Sequence, residues 1–109
     1  MDRIIELGQL LDYYGACITA RQLSFAKQVA YEDCSLAEIA EREGVSRQAV
    51  RDAISRAKKE LYGMEQKLGL IMRTNKMRKL LAEARALHGE ALNNKLDELA
   101  QLWEYGDVV

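Results

Sequence analysis

The sequence predicts an all-α protein, a helical bundle followed by an extended helical C-terminal part, and three observations carry that prediction. The chain of 109 residues contains no proline. It is rich in Ala, Leu, Glu, Lys, Gln and Arg, the residues that lose least on entering a helix. Apolar side chains recur in steps of three and four, the period of a helix face, and glycines and hydroxyl-bearing residues punctuate them where caps are expected. Hydrophobic residues make up 49% and charged residues 30%, the balance of a chain that folds rather than one that stays disordered.

Taken in order, Ile4, Ile5, Leu7, Leu11 and Tyr14 set a first helix over about residues 2–14, with Gly15 placed to end it in a left-handed conformation. Thr19 and Gln22 have the form of a capping box, in which hydroxyl and amide each satisfy a backbone group left open at a helix start. A second helix then runs from about 20 to 31. Ser35 and Glu38 repeat the device before a third helix over about 36–43, which Gly44 stops. Ser46 caps a fourth, whose stripe of Val50, Ala53, Ile54, Ala57, Leu61, Met64 and Leu68 continues to Gly69. Gly63 inside that helix costs about 1 kcal/mol relative to alanine. Two further helices, about 75–88 and 90–105, divide at His88 and Gly89 and carry the stripes Leu80, Leu81, Ala84, Leu87 and Leu92, Leu96, Leu99, Trp103. On this reading residues 1–70 form one domain and residues 71–109 a helical extension. Its leucine stripe suits either core packing or a seam with a second copy, hence an expected homodimer.

Residues 35–61 have the residue types of a helix-turn-helix. Ala40 stands where two helices cross closely, and Gly44 stands in the turn, where positive φ is cheap only for glycine. Ile39, Val45 and Val50 point into the angle between the helices. That leaves Ser46, Arg47, Gln48, Arg51, Asp52 and Ser55 at the start and on the outer face of the second helix. In a DNA-binding helix-turn-helix this face enters the major groove. Arginine grips guanine O6 and N7, glutamine pairs with adenine, and aspartate accepts from cytosine N4. Arg56, Lys58 and Lys59 lie further along, suited to phosphates that position without specifying sequence. Two features favour the alternative of a tri-helical hairpin that never meets nucleic acid: Glu43 occupies a place often filled by an apolar residue, and Asp52 repels phosphate.

The formal net charge is only −1, but the charges are segregated. Residues 44–59 balance to +4 and residues 71–81, with Arg73, Lys76, Arg78 and Lys79 and no acid, to another +4. The last 28 residues, with Glu83, Glu90, Asp97, Glu98, Glu104 and Asp107, balance to −4. Two basic patches therefore stand against an acidic tail.

Other classes are disfavoured. Cys17 and Cys34 lack a CxxC spacing or a histidine cluster, so neither a zinc site nor a disulfide scaffold is expected, and both read as small buried apolar residues. His88 is the only histidine and sits at a helix end, so no nucleophile–histidine pairing is expected, and no glycine-rich phosphate loop is present. No catalytic residue, metal or cofactor is expected. No stretch approaches the roughly 18 apolar residues of a membrane span, and the start of the chain has no cleavage-site pattern, so a cytoplasmic protein is expected.

The stretch ITARQLSFAKQVAYEDCSLAEIAEREGVSRQAVRDAISRAKKEL resembles region four of bacterial sigma factors, the helix-turn-helix that reads promoter DNA. More closely, LLDYYGACITARQ, SLAEIAEREGVSRQAV and EQKLGL resemble the YlxM-like family of small helical proteins over roughly residues 7–70. Ser46, Arg47, Gln48, Ala49, Val50 and Asp52 match that family's pattern, whereas Arg51 stands where a tyrosine is expected and is closer to the sigma-factor pattern. The resemblance implies a DNA-binding homodimer with a role in the signal recognition particle pathway, whose GTPase gene typically lies beside the family's own. A second reading is an accessory component that touches the particle's RNA or its GTPase and reads no DNA sequence. The A-form major groove excludes a helix, so RNA contact would use phosphates, loops or the wide minor groove. Tyr13, Tyr14, Tyr31 and Tyr62 are the candidates to stack on unpaired bases. A two-fold dimer reading DNA would address half-sites about one helical turn apart or a multiple of it.

Overall fold

The computed structural model describes residues 5–103. Among them lie six α-helices and no strand: α1 (Leu7–Tyr14), α2 (Ala20–Ala30), α3 (Leu36–Glu43), α4 (Arg47–Leu68), α5 (Leu70–Ala84) and α6 (Gly89–Gln101), with a short 3₁₀ turn at Gly15–Cys17. The all-α expectation holds. Contacts divide the chain into two compact units, Met1–Gly69 and Leu70–Val109.

The helix starts of the first unit follow from local chemistry. Gln22 N–H donates to Thr19 Oγ1 at 3.1 Å while Thr19 N–H donates to Gln22 Oε1 at 3.0 Å, so the first capping box forms. The second forms with Ser35 and Glu38 at 2.9 and 3.1 Å. The Ser35 backbone donor, then its hydroxyl, hold the Glu38 carboxyl below the usual carboxylate range. Ser46 Oγ accepts from Ala49 N–H at 3.0 Å and starts α4. That helix runs unbroken through Gly63 to Gly69, which adopts φ 63.

Three expectations are corrected. Gly15 does not close α1 in a left-handed conformation; its φ is −57 and ψ −30, and it opens the 3₁₀ turn. Close packing explains the glycine, because a Cβ there would lie 3.3 Å from Leu23 Cδ1. The first helix begins at Leu7 rather than near residue 2, residues 2–4 lying outside the described part. Ile5 is not helical, because Tyr62 takes both its backbone groups: Ile5 N–H donates to the Tyr62 hydroxyl and that hydroxyl donates to Ile5 O, each at 3.1 Å. Cys17 is exposed in the 3₁₀ turn, while Cys34 is half-buried against the core.

The core has two parts along α4. Its first half buries Val50 and Ile54 with Phe25 of α2 and Ile39 and Ala40 of α3, and Val29, Cys34, Leu36, Val45 and Ala53 pack around them. This cluster fixes the relation of α3 to α4, and α2 is its third wall. Ala57, Leu61 and Glu65 are buried further along α4, and Leu10, Leu11 and Tyr14 on α1, which packs on α4. A buried carboxyl requires a partner, and Tyr14 supplies one by donating its hydroxyl hydrogen to Glu65 Oε1 at 2.5 Å.

In the second unit α5 and α6 pack on each other. Helix α5 starts at Leu70, about five residues before the expected position, because Gly69 ends α4 within a single residue and nothing in residues 70–74 stops helix formation. Lys95 of α6 bonds Glu83 of α5 at 2.8 Å, and Arg73 lies over the Trp103 ring at 5.8 Å. Leu80 and Ala84 are buried, but α6 buries no residue, and Leu96 and Trp103 stay about half exposed. The sixth helix ends at Gln101; residues 104 and 105 of its expected extent lie outside the described part, as do Glu104 and Asp107 of the acidic tail.

Tyr31 links α1 to the turn after α2. Its hydroxyl donates to Asp12 Oδ1 at 2.5 Å and lies 3.2 Å from Gly8 O. The bond to Asp12, then burial, then the Asp12 charge push the phenol from 10.0 up to about 12. A pKa raised in the fold means the neutral phenol is the form that stabilises it. That contribution is complete below pH 10 and is lost as pH rises from 10 towards about 12. Alkaline unfolding of the wild type is therefore expected to begin earlier, relative to neutral pH, than that of Tyr31→Phe, which lacks this group. Circular dichroism across that pH interval checks it, and parallel curves for the two proteins would refute it. The ring is 51% exposed, so water screens the Asp12 charge and the effect is small.

Candidate nucleic-acid interface

The turn between α3 and α4 is built from two residues. Gly44 sits at φ 69 and ψ 34, the left-handed region that glycine occupies at least cost. A Cβ on it would meet nothing within 4 Å, so the requirement is conformational and not steric. The N–H groups of both Gly44 and Val45 reach the carbonyl of Ala40, which closes the end of α3 and aims the chain at Ser46. Ile39 and Val50, both fully buried, close the angle from within as their positions in the sequence predicted.

This arrangement leaves one face of α4 in water. Ser46, Arg47, Gln48, Arg51, Asp52, Ser55, Arg56, Lys58 and Lys59 are all exposed. At 3.6 residues per turn, Arg47, Gln48, Arg51, Asp52, Ser55, Lys58 and Lys59 fall within an arc of about 140°, with Arg56 about 40° beyond it. Among the described residues none of the five cations on this face takes part in an ion pair; the pairs present are Arg42–Glu32, Lys95–Glu83 and Lys95–Glu98. The acid on the face is held in place, since Gln48 Nε2 donates to Asp52 Oδ1 at 2.9 Å, one helical turn along. Gln48 and Asp52 therefore present themselves as a unit, a coupling that the i, i+4 spacing makes available.

Glu43 also finds its explanation. Gln28 of α2 is buried, and its amide donates to Ser24 Oγ and to Glu43 Oε2, both at 3.3 Å, and accepts from Arg42 Nη1 at 2.8 Å. Arg42 continues to Glu32 at 3.2 Å. The place often taken by an apolar residue is thus half of a polar bridge between α2 and α3, beside an open groove of about 450 Å³ lined by Lys27, Gln28, Glu32, Arg42 and Glu43 among others. No spacing signal announced this network, because its members lie 10 to 15 residues apart. Of the tyrosines considered for base stacking, Tyr14 is buried, Tyr13 and Tyr62 are half-buried, and Tyr31 is exposed but bonded to Asp12. His88 is exposed and makes no side-chain cap bond. No group of three or more potential metal ligands occurs among the described residues. No helix among them is long and apolar enough to cross a membrane.

Comparison with known proteins bears on the same region. Residues 1–101 match the family described as "Putative helix-turn-helix protein, YlxM / p13 like". The chain is similar to the UPF0122 protein of Desulforamulus reducens, with 42% identity over 83 residues covering 76% of this chain and 71% of the relative. It is 38% identical over 98 residues to the UPF0122 protein of Clostridium perfringens strain SM101, covering 90% and 86% of the two chains. With the UPF0122 protein of Shouchella clausii the identity is 36% over 107 residues, covering 94% and 98%. Arising from a match that takes in α1 to α6 and relatives aligned over most of their length, the conclusion is that the chain belongs to the YlxM / p13-like family of helix-turn-helix proteins.

Proposed function

We infer that this protein binds nucleic acid through the exposed face of α4 and acts as a DNA-reading regulatory protein without catalytic activity. The observation that carries the reading is the five-cation face on a helix whose opposite side is locked into the α2–α3–α4 core. A rigid, water-exposed basic helix behind a glycine turn is what major-groove entry requires. Arg47, Gln48 and Arg51 are the base-reading residues of this proposal, Asp52 is oriented by Gln48, Ser46 and Ser55 flank them, and Arg56, Lys58 and Lys59 take phosphates. The protein works in the cytoplasm as a homodimer, using the half-covered apolar side of α6, and serves the signal recognition particle pathway that the family resemblance implies.

The test is fluorescence anisotropy of the purified protein against a duplex from its own promoter region, a random duplex and the signal recognition particle RNA, each at two salt concentrations. The promoter duplex is expected to bind more tightly than the random one. Arg47→Ala is expected to lose about 1–3 kcal/mol of that discrimination. Preference for the RNA, unaffected by Arg47→Ala, would replace this reading with that of an accessory component of the particle. Sedimentation equilibrium reads the dimer independently, and a monomer at all concentrations would remove it.

A further inference from the structure

We propose that α5 carries a second nucleic-acid-binding face, one that grips phosphate backbone without reading sequence. Lys76, Arg78 and Lys79, and Arg85 just beyond the last turn, are all exposed. At 1.5 Å and 100° per residue they span about 14 Å along the helix and about half of its circumference, with Lys76 and Lys79 towards one edge of that arc and Arg78 and Arg85 towards the other.

Among the described residues none of these cations takes part in an ion pair. The only acid on α5 is Glu83, and it is bonded to Lys95 of α6 at 2.8 Å. That bond, and then the Lys95 charge, keep the Glu83 carboxyl below its usual range, with Lys79 a lesser contributor. The remaining α5 cation, Arg73, is turned onto the Trp103 ring and stands apart from the face. Four exposed cations with no ion pair among the described residues repel one another, and a polyanion relieves that repulsion. An anionic membrane is the poorer fit, because a helix that lies in a bilayer surface needs a free apolar side. On α5, Leu80 and Ala84 are already buried, and Met72 and Leu81 are the exposed large apolar side chains.

The proposal stands apart from the reading of α4. The test uses the full chain and compares the wild type with Lys76→Gln/Arg78→Gln/Lys79→Gln, with the charge-keeping Lys76→Arg/Lys79→Arg, and with Arg47→Ala/Arg51→Ala. Binding to a random-sequence duplex and to an unstructured single-stranded RNA is measured across a salt series, with circular dichroism confirming the fold of each variant. The triple glutamine variant is expected to reduce the slope of log affinity against log salt by about 2 to 3 on duplex DNA. Its preference for the promoter duplex over the random one should not change. The arginine variant should keep the wild-type slope. Whether the RNA series shows the same reduction separates a general phosphate grip from a duplex-specific one. An unchanged slope in the glutamine variant, or an equal loss in the arginine variant, would overturn the proposal. If the reading of α4 is wrong, Arg47→Ala/Arg51→Ala leaves promoter preference untouched while the α5 slope change persists.

Discussion

Phe25→Ala is expected to destabilise the first unit by about 3–5 kcal/mol, the range for emptying a buried aromatic site. Phe25 is 3% exposed and packs in one cluster with Ile39, Ala40, Val50 and Ile54. Removing the ring leaves α2, α3 and α4 facing a void that the buried backbones on three sides cannot collapse into without moving α3 relative to α4. Arg21, whose guanidinium lies 5.2 Å from the ring centroid, loses its aromatic partner as well. Small domains hold only about 5–15 kcal/mol in total, so this loss removes a large share of the stability. Urea denaturation checks the result: the midpoint should fall with an unchanged slope, while Leu68→Ala, at a position 51% exposed, should move it little. Equal effects at the two positions would show that the cluster does not hold the motif.

Arg47→Ala combined with Arg51→Ala is expected to have the reverse profile, leaving stability within about 0.5 kcal/mol while removing sequence preference. The two arginines are one helical turn apart on the same exposed side and carry no ion pair among the described residues. Each is worth about 1–3 kcal/mol if it grips a guanine, so together they lower promoter preference by about thirtyfold or more at 1.4 kcal/mol per tenfold. Neighbours on one ligand couple, and the double variant can depart from the sum of the singles. Anisotropy titration against promoter and random duplexes reads the ratio directly. A ratio that survives both substitutions would place sequence reading elsewhere or nowhere.

Much of the first unit was legible because its signals are local. Thr19 with Gln22, Ser35 with Glu38, and Ser46 each act within three residues, and the structure forms all three caps. Gly44 was legible for a similar reason, since its φ of 69 belongs to the residue and not to its neighbours. Gly15 misled because a glycine serves close approach as well as positive φ, and only the packing of Leu23 reveals which. Ile5 was misassigned because its partner, Tyr62, lies 57 residues away. The polar bridge of Gln28, Arg42 and Glu43 escaped notice on the same grounds. For the exposed face of α4, periodicity sufficed to place every proposed residue in water; the locking of Asp52 by Gln48 required coordinates, because many side chains at that spacing do not meet.

The caps have a kinetic consequence. Each closes a loop of only a few residues, so it forms on the timescale of helix–coil exchange, about 0.1–1 μs, before distant segments meet. The first unit therefore starts its folding search with the boundaries of α2, α3 and α4 already marked, which favours the rapid folding of helical proteins dominated by local contacts. With no proline in the chain, no prolyl isomerisation lasting tens of seconds delays it. A nascent chain can thus hide its apolar cluster soon after Ile54 has become available, shortening the interval in which Phe25, Ile39 and Val50 are open to aggregation.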